Sequence, residues 1–359
     1  MADTAPKIAE VEREEAPAAV DRKARALADQ IRRSKHLVVF TGAGVSTSAG
    51  IADFRGPEGA WTLMAQGREH DLRSIDTLQA IPTPTHMALV ELQSRGILKY
   101  LISQNCDGLH RRSGILPGTI SEVHGNSNRE YCKDCGKEYI RDFRAVAPDE
   151  RPAHDHRTGR KCAICGGILL DSIINFGEPL PEADLQRAFD NAEKADVFLV
   201  LGSSLTVTPA NEIPEIPGRK RAPSLAICNL QKTPLDGLAD LRVFSKSDDL
   251  MVRVMNQLEI PIPQFILRRS LIIRNGQNAR GKFQLHIVGI DIDGTPYFRG
   301  GLDPGTQVEL ELEFMGNYGE PNLCLTHEYG GQADEAVTYD LRYNPADGNW
   351  DFSRASPPN

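Results

Sequence analysis

Apolar residues recur at two different spacings along this 359-residue chain. Ala24, Leu27 and Ile31 stand at helical intervals and predict a helix. The short apolar run Leu37–Phe40 follows and is broken at once by Thr41-Gly42-Ala43-Gly44. Strand, glycine turn and helix in that order suit an α/β unit. Val197–Leu201 and Leu225–Ile227 read as further buried strands, with Leu185 and Phe189 predicting a helix before the first. Met251, Val254, Met255 and Leu258 fall at i, i+3, i+4 and i+7 and predict a closing helix. The fold class expected is α/β, a Rossmann-like parallel sheet with helices on both faces.

Two stretches depart from this texture. Residues from about 126 to 170 are rich in Cys, Gly, His and charge and poor in apolar runs, which predicts a small inserted module. After Pro261-Ile262-Pro263, Val308, Leu310, Leu312 and Phe314 alternate with Glu309, Glu311 and Glu313, a strand with one wet face. Similar runs at Phe283–Ile290 and Ala336–Tyr343, separated by Gly/Asn/Asp turns, predict a small antiparallel β domain. Residues 1–19, rich in Ala, Pro and Glu, read as a disordered leader. The expected organisation is this leader, an α/β domain over 20–263 with the module inside it, and a β-rich domain over 264–359 to which no residue assigns a role.

Composition narrows the class. At 40% hydrophobic and 25% charged residues the chain can bury a core. No run of about 18 apolar residues exists, and the polar N-terminus lacks the apolar stretch of a secretory signal, so a soluble intracellular protein is expected. The net charge, 41 − 49 = −8, argues against nucleic-acid binding by bulk charge. From Gln264 onward 8 basic and 13 acidic residues supply −5 of it, and no Lys or Arg occurs between Arg299 and Arg342. That stretch reads as a solvated acidic face, or as one that attracts a basic partner such as a histone tail. The seven cysteines include two Cys-x-x-Cys pairs, which in a reducing compartment favour metal ligation over disulfides.

Cys132, Cys135, Cys162 and Cys165, the pairs being 26 residues apart, suit one tetrahedral Zn²⁺ per chain. Four thiolates leave no open position, so the metal is expected to be structural. His154 and His156 are expected at the surface, and Cys106, Cys228 and Cys324 as ordinary, partly buried side chains. Gly42-Ala43-Gly44 is half of a dinucleotide fingerprint. Thr47 replaces its third glycine, and no acid stands about 20 residues on in a strand-end position to hold a ribose. The turn therefore reads either as an anion cradle or as a steric necessity. Gln104, Asn105 and Asp107 follow the apolar Ile97–Ile102 and should lie at a strand's C-terminal end, where open sheets bind ligands. His124, in Glu122-Val-His-Gly-Asn126, is suited to general-base work at neutral pH or is a structural histidine.

Thr41-Gly-Ala-Gly-Val-Ser, Gly50-Ile-Ala-Asp-Phe-Arg-Gly, Ser103-Gln-Asn-Cys-Asp-Gly-Leu-His, Glu122-Val-His-Gly-Asn, the paired Cys-x-x-Cys, Phe176-Gly-Glu and Leu201-Gly-Ser-Ser-Leu occur in this order. Together, over roughly 21–263, they resemble the sirtuin family of NAD-dependent protein lysine deacylases. Arg55-Gly-Pro-Glu-Gly-Ala-Trp-Thr62 and Ile227-Cys-Asn-Leu-Gln-Lys-Thr-Pro resemble its chromatin-associated sixth and seventh branch, and the retained Phe176-Gly-Glu is more like the seventh. The resemblance implies NAD as co-substrate, with Ala43, Gly44 and Thr47 at the pyrophosphate. Asp53, Phe54, Arg55 and Trp61 would close the nicotinamide side, and Gln104, Asn105 and Asp107 would hold nicotinamide and its ribose. Gly202, Ser203 and Ser204 would meet the phosphates and adenosine, Asn229, Leu230 and Gln231 the adenine ribose, and Ser247 the adenine. Ala52 stands where the family usually has proline; alanine lifts the φ constraint and leaves this loop freer, which bears on cofactor affinity.

The implied reaction moves the acyl group of an acyl-lysine protein, a histone or nucleosome by resemblance, onto ADP-ribose with loss of nicotinamide. His124 is the implied base, and the nucleus the implied location, with Arg219-Lys220-Arg221 as a short basic cluster. Two other readings use the same residues: a mono-ADP-ribosyltransferase, and a non-catalytic NAD-sensing chromatin scaffold. No membrane partner is expected, and oligomeric state is not legible.

Overall fold

The structure, a computed structural model, describes residues 10–148, 150–152, 154–220, 224–277, 283–289, 296–299, 307–314, 316–328 and 336–355. Residues 1–9 of the expected leader, Arg221 and Ile290 lie outside them. The chain divides into two units. One comprises Met1–Arg129, Arg144–Thr158 and Asp171–Gln264, the other Glu130–Phe143, Gly159–Leu170 and Phe265–Asn359.

The first unit is built on β1 (Leu37–Thr41), β2 (Leu98–Ser103) and β3 (Ile120–Glu122), with β8 (Val197–Leu201), β9 (Ser224–Cys228) and β10 (Leu241–Val243). All are parallel, in the order β10-β9-β8-β1-β2-β3. Every residue of β1 and β8 is buried, which is why both read as unbroken apolar runs. Alternate side chains feed two cores. Leu37, Val39, Leu199 and Leu201 meet α1 (Pro17–Arg33), α3 (Pro84–Ser94) and α7 (Ser247–Leu258) on one face. Val38, Phe40, Phe198 and Val200 meet α5 (Glu182–Lys194) and α6 (Glu212–Gly218) on the other. Two short helices, α2 (Ala60–Ala65) and α4 (Leu109–Ser113), complete the unit. Among the described residues no helix is long and apolar enough to cross a membrane.

Two details differ from the sequence reading. Helix α1 begins at Pro17, inside the expected leader, and Arg13 and Glu15 donate their backbone N–H groups to Leu230 O and Phe244 O, both at 2.9 Å. Regular structure reaches this far because proline at the first helical position costs no hydrogen bond. No long helix follows the glycine turn; Ala43–Val45 and Thr47–Ala49 form two 3₁₀ turns ended by Gly50 at φ +85°. Thr83 Oγ1 donates to Val45 O at 3.0 Å, so a side chain satisfies a carbonyl that a continuing helix would have paired.

Helix α3 carries a stability prediction. His86, its third residue, reciprocates the Thr83 cap through Nδ1, and its ring lies 4.6 Å from that of His110, whose Nε2 meets Thr41 Oγ1 at 2.8 Å. Both imidazoles are fully enclosed, and burial pushes each pKa down to about 3. The native state refuses protons that the unfolded chain accepts below about 6.5, so stability falls as pH drops from there toward 3. The slope is up to about 1.4 kcal/mol per pH unit for each histidine. Urea titrations between pH 7 and 5 should show this loss, and H86N/H110N should flatten it; equal slopes would contradict the assignment.

In the second unit, β4 (Arg129–Cys132), β5 (Glu138–Ile140), β6 (Arg157–Lys161) and β7 (Ile168–Asp171) form a sheet in the order β5-β4-β7-β6. Buried Glu130 accepts from Arg141 and Arg160, each at 2.7 Å, tying this small sheet together. Beyond Gln264, β11 (Leu267–Gln277), β12 (Phe283–Gly289), β13 (Pro296–Arg299), β16 (Ala336–Asn344) and β17 (Asn349–Arg354) make an antiparallel sheet. A two-stranded ribbon, β14 (Gln307–Leu312) with β15 (Leu323–Glu328), accompanies it. Ile273, Leu310, Leu325, Val337 and Leu341 form their shared core. Glu309, Glu311 and Glu313 are exposed as the alternation requires, although β14 ends at Leu312, before Phe314.

Candidate functional site

In an open parallel sheet the ligand crevice lies beyond the strand C-termini, at the point where chain order reverses. Here that point is between β1 and β8. Their two exit turns touch: Gly42 N donates to Leu201 O at 3.0 Å and Gly44 N to Gly202 O at 2.9 Å. A Cβ on Gly44 would stand 2.7 Å from Gly202 Cα, and one on Gly202 (φ +62°) 2.6 Å from Gly44 C. Only glycine allows this approach, so steric need explains these residues. A cavity of about 610 Å³ opens above them.

Of the residues singled out from the sequence, Ala43, Gly44, Thr47, Asp53, Phe54, Arg55, Trp61, Gln104, Asn105, His124, Gly202, Ser203, Ser204, Asn229, Leu230, Gln231 and Ser247 all line this cavity. Asp107 does not. It is buried beside it on the wall of an adjoining cavity of about 700 Å³, accepting from Ser46 Oγ at 2.7 Å and Leu109 N at 2.8 Å. From there it orients Ser46, which with Gly42 O also receives the Asn105 amide.

His124 leaves the end of β3 because Val123 N bonds Ser103 O and because Gly125, at φ +84°, has no room for a side chain; a Cβ would stand 1.8 Å from Ser172 O. Its Nδ1 lies 2.9 Å from Gln104 O, an acceptor only, so Nδ1 carries the proton and Nε2 keeps its lone pair. Burial pushes the imidazole pKa below its usual value, partly opposed by that carbonyl, which keeps the ring neutral and basic at neutral pH. Gln104 Oε1 accepts from Ser203 Oγ at 3.0 Å, while its buried Nε2 has no partner among the described residues.

Asp53–Trp61 forms one rim. Asp53 Oδ1 accepts from Gly56 N, and Ala60 and Trp61 bond back to Asp53 O and Phe54 O. The rings of Phe54 and Trp61 are 4.7 Å apart, those of Trp61 and Phe176 5.3 Å, and the Arg55 guanidinium lies 4.4 Å from the Trp61 ring. Ala52 N donates to Ser74 Oγ at 3.1 Å, a bond proline cannot make. The loop expected to be freer for lack of proline is held by another means.

Several lining residues escaped the sequence reading. Phe176 belongs to a noted motif, but nothing local marked it as a partner of Trp61. Glu12 and Asp248 also line the cavity. Asp248 had a signal, an acid in the first turn of α7, and it accepts from Thr85 N at 2.9 Å. His156 is half-buried, contrary to expectation, because it bridges Asp171 Oδ1 at 2.8 Å and Glu178 Oε1 at 2.9 Å; these carboxylates raise its pKa against the effect of burial. His154 is exposed, as expected, and Cys324 is exposed rather than partly buried.

In the second unit the Sγ atoms of Cys132, Cys135, Cys162 and Cys165 all lie within 4.8 Å of one another. Cys132 and Cys165 are 3.4 Å apart and Cys135 and Cys162 3.6 Å, close to the ~3.8 Å edge of a tetrahedron with ~2.3 Å Zn–S bonds. Each Cys-x-x-Cys is closed by a glycine at φ +73°, Gly136 or Gly166, which donates to the first cysteine's carbonyl. The cluster could hold one zinc ion.

The Sir2 family profile matches residues 69–209. The chain is 45% identical over 246 residues to the NAD-dependent protein deacetylase SRT1 of Arabidopsis thaliana, covering 68% of this chain and 51% of that protein. It is 43% identical over 258 residues to the NAD-dependent protein deacetylase sirtuin-7 of Homo sapiens, covering 68% and 62%. The chain thus spans about half to three-fifths of the length of these relatives. A solved structure of Sir2Tm bound to a propionylated peptide superposes with a TM-score of 0.51 at 32% identity, covering 67% of this chain and 100% of that one. With the whole of that solved chain matched at such identity, this chain belongs to the Sir2 family.

Proposed function

We propose that this chain is an NAD-dependent protein lysine deacylase, acting in the nucleus on a histone or another chromatin protein. The observation that carries the reading is His124: a neutral imidazole with Nε2 unprotonated, on the wall of a cavity whose floor is two abutting glycine turns. The unpartnered Gln104 Nε2 in that wall fits a ligand carboxamide. Gly44, Ser203 and Ser204 would hold the phosphates of NAD, Gln104 and Asn105 its nicotinamide half, and Asn229–Gln231 its adenosine. Bound there, NAD supplies a ribose carbon with a good leaving group, onto which the acyl oxygen is transferred.

The protein's part is orientation and proton transfer. Gln104 O fixes the imidazole tautomer, and His124 Nε2 takes the proton of a ribose hydroxyl. Phe54, Trp61 and Phe176 form an apolar rim on the side where the acceptor carbon would lie. The relatives' names and the acyl-peptide complex support this substrate class. The exposed Glu309, Glu311 and Glu313 offer acidic complement to a basic tail.

Incubation with NAD and a panel of acetyl- and long-chain-acyl-lysine histone peptides tests the reading. One nicotinamide should be released for each acyl group lost, and no loss should occur without NAD. ADP-ribose added to peptide or nucleosome would instead show a transferase, and intact NAD under every condition a scaffold.

A further inference from the structure

The glycine turn lacks the acid that usually follows it and holds a ribose diol. We propose that Glu12, from the segment ahead of α1, supplies that acid, accepting hydrogen bonds from the adenosine ribose of NAD; the inference rests on the deacylase reading above. The segment is pinned on both sides of Glu12. Gln231 Nε2 donates to Glu10 O at 3.0 Å, Arg13 N to Leu230 O at 2.9 Å, and Glu15 N to Phe244 O at 2.9 Å. Glu15 Oε1 in turn accepts from Phe244 N at 3.1 Å and from Lys23 at 2.6 Å. These bonds attach the segment as a strap to the exits of β9 and β10. Arg13 lies over the Phe244 ring at 5.9 Å, and Glu12 faces the cavity with Leu230 and Gln231.

The chemistry of the position favours a diol. Glu12 makes no hydrogen bond or ion pair among the described residues, and partial burial, with Asp53 and Glu14 nearby, raises its pKa despite Lys246. An acceptor-only carboxylate repels pyrophosphate but matches the two O–H donors of a ribose. Asn229 and Gln231, by contrast, have amide donors engaged with Gln231 O and with Glu10 O and Arg55 O. A carboxylate here also rejects a 2′-phosphate, so it discriminates against NADP.

Calorimetric titration of the full chain with ADP-ribose, NAD and NADP tests this without turnover. E12Q should bind ADP-ribose and NAD roughly tenfold more weakly, the scale of a hydrogen bond to a charged group. It should also narrow the NAD-to-NADP preference, with an unchanged melting temperature. E14Q, on the same strap but not on the cavity wall, should bind as wild type does. Binding by E12Q within twofold of wild type, at the same NADP ratio, would overturn the inference while leaving the deacylase reading standing. No binding of any nucleotide by the wild type would overturn both.

Discussion

H124Y is expected to lose NAD-dependent deacylation, by about 10²–10⁴-fold or more, while the protein stays folded. Tyrosine, with a pKa near 10, offers no base at neutral pH. The structural cost is small, because the half-buried imidazole makes one side-chain hydrogen bond, to Gln104 O, worth about 0.5–1.5 kcal/mol. H124N keeps an N–H for that carbonyl but lacks the basic nitrogen, so it should be as inactive as H124Y and closer to wild type in melting temperature. Nucleotide binding should survive in both. The wild-type pH profile carries the same signature. Burial lowers the His124 pKa, so activity should hold as pH falls to about 6.5 and decline below it, on the acid side of free imidazole. Undiminished turnover in either variant would remove His124 from the mechanism.

The second large effect is expected at the thiolates. Their geometry closes all four tetrahedral positions, so a zinc ion there takes no substrate and acts through folding. The small sheet has little apolar interior besides the ligands, with Tyr139 and Leu169 completing its buried cluster. Metal binding in such modules is worth on the order of 10 kcal/mol, more than a sheet of this size gains from burial. C132A, or chelation of the wild type, should therefore unfold Glu130–Phe143 and Gly159–Leu170. Metal analysis should give one zinc per chain, falling to none in C132A, and limited proteolysis should then cut within these segments. A metal-free protein with unchanged proteolytic resistance would contradict a structural role.

What was legible in the sequence had local causes. Strands buried on both faces leave unbroken apolar runs, so β1, β8 and β9 stood out. Two Cys-x-x-Cys turns need no distant information to suggest a metal. What was not legible depended on partners far along the chain. Glu12 reaches the cavity through backbone bonds to residues more than 200 positions away, and backbone bonding leaves no mark on side-chain pattern. Strand β11 was hidden because Arg269 breaks the alternation of Leu267, Leu271 and Ile273 in the sequence, and β15 because buried His327, bonded to Tyr339 at 3.1 Å, occupies a core-facing position. The glycine turn is ambiguous in the sequence because contact with Gly202 explains its glycines whether or not an anion binds.

The central claim is that the acyl group leaves lysine for ADP-ribose at the site around His124. A peptide carrying ¹³C-labelled acetyl-lysine, incubated with the full chain and NAD, follows that group directly by mass spectrometry. The account predicts the label on ADP-ribose, with free lysine and nicotinamide in equal amounts, and none of these products from H124Y. Label released as free acetate from the outset, or remaining on lysine while NAD is consumed, would contradict it.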